Sequence, residues 1–399
     1  MASKFRFKNA DGTTVDFEDY YVRADYFRSG NLWSSGINSL GGLGDNTSTN
    51  RSSPVQTVAG GTNWKQVACG YHTAAIKTEG TLWTWGRGLN GQLGNNTATT
   101  TLSPVQTVAF GTNWKQVACG ASHTAAIQTD GTLWTWGRNS QIGPTRPAGQ
   151  LGDNTAIDKS SPVQTVTGGT NWKQVACGPY HTAAIKTDGT LWLFGANDNF
   201  ASGKLGDNTV ISKSSPVQTV AGGTNWMQVT CASSITSAIK TDGTLWCWGY
   251  NSSGQIGDNT ATSKSSPVQT ITFGTNWKQV SCGDNHVAAI KTNGTLWLWG
   301  YNASGQLGDN TATSRSSPVQ TVAFGTNWKQ VSCGGDTTAA IKTDGTLWCW
   351  GYNLYGGLGD NTIVNKSSPV QTVTFGTIWQ QVSCDTYHTA AIQYQDEYQ

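Results

Sequence analysis

Charge is what this chain has least of. Asp, Glu, Lys and Arg make up 12% of its 399 residues, against roughly 25% in an ordinary soluble protein. Thr, Ser, Asn, Gln and Gly take their place. The net charge is +2, so no global field attracts nucleic acid or a membrane surface, and neither is expected as a partner. No apolar run approaches the roughly 20 residues of a membrane span, so membrane insertion is not expected. Met1 to Lys8 holds no apolar stretch, so no secretory signal is expected. No CxxC spacing suggests zinc, no phosphate-binding loop is present, and no pair of carboxylates stands out for acid–base work.

What is present is a repeat. The phrase Lys342-Thr343-Asp344-Gly345-Thr346-Leu347-Trp348-Cys349-Trp350-Gly351 reads as a strand end, a tight Asp-Gly turn with both residues at positive φ, and an alternating second strand. Leu347 and Cys349 face one way, Trp348 and Trp350 the other. The phrase recurs around Trp83, Trp134, Trp192, Trp246 and Trp297 at spacings of about 51 to 58 residues, which marks a repeat architecture. One unit holds four strand-length runs bounded by Gly, Asn or Pro: strand A (Trp172 to Cys177), B (His181 to Lys186), C (Thr190 to Gly195) and D (Ser215 to Val220). Proline leads strand D, as the first residue of an outermost strand permits.

The nine cysteines are an odd number for a disulfide framework. Cys69, Cys119, Cys177, Cys231, Cys282, Cys333 and Cys384 all end strand A, one repeat apart, and read as buried thiols. Cys247 and Cys349 read as packing residues of strand C.

Each strand type occurs seven times, yet the chain begins with C and D and finishes with A and B. The two halves can complete one blade. The fold expected is therefore all-β: a seven-bladed β-propeller of four-stranded blades, its ring closed by the N-terminal C–D strands with the C-terminal A–B strands. The propeller would span residues 31–393, with an N-terminal segment over 1–30 and a tail over 394–399. An open solenoid would leave both half-units unmatched.

The run Trp299-Gly300-Tyr301-Asn302-Ala303-Ser304-Gly305-Gln306-Leu307-Gly308, with Cys119-Gly120 followed by His123-Thr124, resembles the regulator of chromosome condensation repeat family. The resemblance covers residues 31 to 393 and implies a seven-bladed propeller. The near-identity of the copies looks most like bacterial and phage members. One branch of the family acts in nucleotide exchange through a specialised charged face, which does not map onto this sequence. A fold of this kind hosts unrelated activities.

In a blade of alternating strands, the A–B and C–D links emerge on one side and the B–C and D–A links on the other. The second side is nearly uniform. The first varies, and it carries two insertions, Asn139 to Ala148 and Asn197 to Lys204. Loops on a rigid scaffold are where binding groups sit. The candidate binding residues are Tyr71, Arg138, Tyr180, Asn197, Phe200, Tyr250, Asp284, Tyr301, Tyr355 and Tyr387. No catalytic residue, cofactor or metal is expected. His72, His123, His181, His286 and His388 share one repeat position and read as structural hydrogen-bonders. The Gly-Asp-Asn-Thr motif reads as an Asx turn, since one carboxylate per loop is few ligands for calcium. The repeated tryptophans read as packing between blades.

Residues 3 to 31 look like leader segments of phage structural proteins. Phe5, Phe7, Phe17, Tyr20, Tyr21, Tyr26 and Phe27 would anchor the chain, the first of them in a small hairpin around Asp11-Gly12. The function this suggests is a non-enzymatic structural or adhesion protein of a phage virion, bound to other virion proteins through that segment and displaying the ring to a host surface protein or glycan. The alternative is an inhibitor or scaffold that binds a protein partner through the variable face.

Overall fold

The computed structural model describes residues 6–8, 14–16, 30–58, 61–108, 111–140, 149–197, 202–271, 274–322, 325–373 and 378–394. Arg6–Lys8 pairs antiparallel with Thr14–Asp16, with Phe7 opposite Val15, as the small hairpin requires. Phe5, Phe17, Tyr20, Tyr21, Tyr26, Phe27 and Phe200 lie outside the described residues, and so does the tail beyond Tyr394.

The rest is an all-β propeller of four-stranded blades. A representative sheet runs Trp172–Cys177, His181–Lys186, Leu191–Gly195, Lys213–Gln218, each strand antiparallel to the next. Four further sheets repeat this order. A sixth sheet has eight strands and joins the chain ends. In it Gly30–Gly36, a C strand, pairs with His388–Tyr394, a B strand, from Gly30 opposite Tyr394 to Gly36 opposite His388. Among the described residues, no helix is long and apolar enough to cross a membrane.

Both faces of each blade are packed. Leu347 and Cys349 join a cluster with Trp379, Val382 and Ala391. Trp350, and Trp348 beside it, join a cluster with Leu296, Leu298 and Trp328. The alternation therefore feeds two interfaces, and tryptophan is the packing element between blades. All nine thiols are free, and all but Cys177 are buried.

Two local expectations need correction. Strand D begins earlier than proline: it runs Arg51–Gln56, with Pro54 at its fourth residue. The pairing with strand C slips between Ser34 and Gly36, opposite that proline. A bulge on an edge strand is where a residue without an N–H is tolerated. The Asp-Gly turn is also of another type. Gly345 has φ of 79°, while Asp344 is not at positive φ. Gly345 N donates to Lys342 O and Lys342 N to Thr346 O, the pattern of a type I turn followed by a left-handed glycine. The Asp344 side chain closes the turn instead. It accepts from Thr346 N and Thr346 Oγ1, whose oxygen accepts in turn from Trp348 Nε1.

The blades are joined by a relay that sequence reasoning missed. Gln279 Oε1 accepts from Val331 N at 3.1 Å, and its Nε2 donates to Val331 O at 3.2 Å. Gln330 does the same for Val382, and Gln381 for Val67, 314 residues away. Gln66, Gln116, Gln174 and Gln228 complete the set with Val117, Val175, Val229 and Val280. Each glutamine pairs with both the N–H and the C=O of one valine of the next strand A.

The histidines form a second relay, as structural hydrogen-bonders. His72, His123, His181, His286 and His388 place Nε2 within 2.6 to 3.0 Å of Thr124, Thr182, Thr236, Thr338 and Thr73 Oγ1. Each of these hydroxyls donates to a link carbonyl, for instance Thr338 to Gln306 O. The histidine must therefore supply the proton to the hydroxyl oxygen. Where Ile235 replaces histidine, the residue at the partner position is Val287, and both are fully buried.

The Gly-Asp-Asn-Thr loops are Asx turns. Asp45 Oδ1 accepts from Thr47 N, Thr47 Oγ1 and Asn38 Nδ2, and Oδ2 from Arg51. Its oxygens are occupied by its own chain. The following asparagines, from Asn46 to Asn361, take φ near 60°. One copy changes as a set: Gly88 stands at the Asn38 position, Asn95 at Asp45 and Thr101 at Arg51. Without the carboxylate, neither its amide donor nor its cation is kept.

Candidate binding face

The A–B and C–D links share one side of the sheets because successive strands are antiparallel. At its centre the ends of the strands A surround a cavity of about 80 Å³, lined by their cysteines and the glycines that follow. The glycines are required by crowding. A Cβ at Gly70 would run into Gly120 O, and one at Gly334 into Asp385 O. A second cavity of about 310 Å³ adjoins it, sharing Gly70, Tyr71 and Asp385, and adding Leu40, Arg87, Tyr387 and His388.

Four of the expected residues gather there. Tyr71 and Tyr387 stack with centroids 5.2 Å apart, and the Arg87 guanidinium lies 5.8 Å from the Tyr71 ring. Burial, then the Tyr387 hydroxyl, pushes the Tyr71 phenol well above its ordinary value. Tyr180 has the Lys204 ammonium 5.9 Å from its ring. Asp284 lines the axial cavity. Burial, then the charges of Asp336 and Asp385, raise its carboxyl to about 6. Tyr355 is exposed nearby, edge-on to Tyr352 at 6.1 Å.

The others are placed apart. Tyr250, Tyr301 and Arg138 are half-buried at the starts of C–D links, where their N–H groups donate to Ser234 O, Asn285 O and Ser122 O. Asn197 cannot present its side chain to a partner. It is fully buried, with Nδ2 donating to Asp207 and Thr209, and Oδ1 accepting from Leu205 N. It belongs to the turn, as Asn38 does.

Sequence reasoning missed Asp336, Asp385 and His388 as members of this site. A signal for Asp385 was present: the six other copies have Gly70, Gly120, Gly178, Ala232, Gly283 and Gly334 at that position. Asp385 Oδ1 lies 3.1 Å from His388 Nδ1. Burial alone would lower that imidazole, but the Asp385 carboxylate prevails and holds it well above its ordinary value. The other four histidines go the opposite way. Burial takes His72 and His123 down to about 3, His286 to about 4, and His181 well below its ordinary value. Among the described residues, no group of three His, Cys, Asp or Glu side chains is placed to hold a metal ion.

A model of the RCC1-like domain matches residues 143–398. Models of the regulator of chromosome condensation (RCC1) repeat match residues 79–127, 64–92 and 114–141. The ultraviolet-B receptor UVR8 of Arabidopsis thaliana is 36% identical over 280 residues, covering 68% of this chain and 61% of the receptor. The mitochondrial RCC1 domain-containing protein RUG3 of the same plant is 28% identical over 57% of this chain and 52% of its own. The chain thus spans less than two thirds of either relative. Among solved structures, Prp20p of Saccharomyces cerevisiae, reported with its binding properties to Gsp1p and histones, superposes with a TM-score of 0.82 at 18% identity, covering 95% of both chains. Human WBSCR16 does so with 0.77 at 22%, covering 92% of this chain and 100% of that one. At these identities the likeness speaks for the fold alone.

Proposed function

The chain belongs to the RCC1-like family, and on that basis we propose that it is a closed ring of seven four-stranded blades that binds a protein partner through its A–B and C–D links, without catalysing a reaction. Support for closure comes from the Gln381–Val67 and His388–Thr73 hydrogen bonds and from the Gly30–Tyr394 strand pairing. Seven glutamine steps from Gln66 return to Val67.

The observation that carries the binding reading is the Tyr71–Tyr387 pair at the axial mouth, with Tyr180 and Arg87 beside it. Tyrosine and arginine in a central, partly desolvated cluster are the residue types that dominate binding energy at protein interfaces. Among the described residues, the B–C side offers no comparable departure from the repeat. Prp20p and its likeness to this fold add a precedent for protein partners. Against catalysis stands the commitment of the imidazoles: Nε2 of each histidine is held by a threonine of the adjoining blade. The virion reading rests on the likeness of residues 3 to 31 to phage leader segments, whereas the relatives matched are RCC1-like proteins and support the partner-binding alternative.

The test needs a partner identified by cross-linking to the full chain. Substituting Tyr71, Tyr180 and Tyr387 together by alanine should abolish that complex. Substituting the exposed Glu79 and Asp130 of the B–C turns should leave it intact. The opposite pattern would move the binding face to the other side.

A further inference from the structure

The axial mouth is not charge-symmetric. Three successive A–B links place Asp284, Asp336 and Asp385 on one arc, and Asp284 feels the other two carboxylates. The preceding links carry Ala121, Pro179 and Ser233 instead. Three cations lie nearby. Arg87 lies against Tyr71, Lys204 is fully buried and donates to Ser233 O at 3.0 Å, and His388 is paired with Asp385.

Asp385 supplies a second, independent observation. Its side chain is 7% exposed, and it lines both the axial cavity and the larger one beside it. Oδ1 is saturated by Tyr387 N and His388 N at 2.7 Å each. Oδ2 is buried and has no hydrogen-bond donor among the described residues. A buried carboxylate oxygen left in that state is costly unless something completes it.

We propose that this mouth is a subsite for an ammonium or guanidinium head, with Asp385 Oδ2 as acceptor, Asp284 and Asp336 as the surrounding negative charge, and the Tyr71 and Tyr387 rings as walls. It deepens the partner-binding reading and rests on it, because the natural source of such a head is a lysine or arginine side chain of the partner. The chemistry matches at each point. Ammonium and guanidinium are donors only, so they complete an acceptor that already exists. Aromatic faces attract them. The axial cavity, about 80 Å³, admits a head group and not a drug-sized ligand. The donor set does not suit a hard metal ion, which needs 6 to 8 oxygens in the case of calcium. A cation arriving beside Asp284 also offsets the burial and like-charge repulsion that raise its carboxyl to about 6.

The experiment uses the full chain and three probes in calorimetry: agmatine, N-acetyl-lysine methylamide and the neutral N-acetyl-norleucine methylamide. The two cations should bind saturably and the neutral probe should not. Asp284→Asn with Asp336→Asn, which keeps shape and removes charge, should weaken the cations by about tenfold. Asp385→Asn keeps an acceptor for the two backbone N–H groups and should weaken them too. Binding should fall between about pH 7.5 and about pH 5 as Asp284 takes up a proton. Agmatine binding without the lysine mimic would assign the site to a free small cation and overturn the partner side chain as its source. Equal binding of the neutral probe, or cation binding unchanged in both variants, overturns the proposal. With the cross-linked partner, the two failures separate. If the Asp284→Asn, Asp336→Asn chain keeps full affinity while the tyrosine variants lose it, the cation subsite is wrong and the face is right. If neither set matters, the face itself is wrong.

Discussion

His388 Nε2 donates to the Thr73 hydroxyl 2.8 Å away, joining residues 315 positions apart. The same bond links His286 to Thr338 at 2.9 Å. Its logic can be tested by copying the chain's own exception, Ile235 with Val287. Thr338→Val alone should cost about 1–3 kcal/mol, because it strands a buried His286 N–H. Adding His286→Ile should recover part of that loss, so the double variant is the more stable in urea unfolding. A purely additive pair would show that the two side chains do not act through each other.

The glutamine relay predicts a larger effect than a polar surface residue would give. Gln279→Ala removes the partners of both the Val331 N–H and the Val331 carbonyl, and Val331 is 2% exposed. The expected loss is about 1–3 kcal/mol, against less than about 0.5 kcal/mol for Lys278→Ala on the exposed neighbour. Chemical unfolding of the two variants measures the contrast.

Acid should loosen the protein in a particular window. His72, His123 and His286 titrate at 6.5 when unfolded but near 3 to 4 when buried. The unfolded chain binds more protons between those values, so stability is full above about 6.5 and declines as pH falls toward 3. His388 has the opposite sign. Its raised value makes its contribution complete below 6.5 and lost as pH rises through the folded value. Asp385→Asn should therefore flatten the alkaline side of the stability profile and, with burial left to lower His388, steepen the acid side, as urea midpoints across pH would show.

Gly294→Ala tests the B–C turn. Gly294 has φ of 77°, and a Cβ there would meet the Thr326 carbonyl oxygen. The left-handed backbone alone costs about 1–2 kcal/mol, and the contact adds to it. Thermal unfolding should show a drop exceeding that of Thr292→Ala in the same turn.

The propeller strands were legible because their apolar alternation is short, bounded and copied many times. The site was legible only in part, for the same reason. Tyr71, Tyr180 and Tyr387 stood out because they vary in a repeat that otherwise does not. Asp385 varies at a position hidden among glycines, and its role depends on what converges on the axis, which periodicity does not show. Asn197 misled because it opens an insertion, yet it keeps the buried amide position shared with Asn38 and Asn302. Pro54 was placed at a strand start because a missing N–H forbids an interior strand; the bulge between Ser34 and Gly36 relaxes that rule on an edge. Gln66 and its equivalents carry no signal in the sequence, since nothing local tells a glutamine that its amide will meet the backbone of a valine some fifty residues on.

That glutamine also says something about counting. Each step joins one unit to the next by the same two hydrogen bonds, and no step records how many have gone before. Inserting or deleting a whole unit by recombination would leave every local joint satisfied, and only the angle between neighbours would resist. The number of blades is thus a property of chain length and curvature. If the proposed ring closes, near-identical copies leave it one such exchange away from a ring of another size.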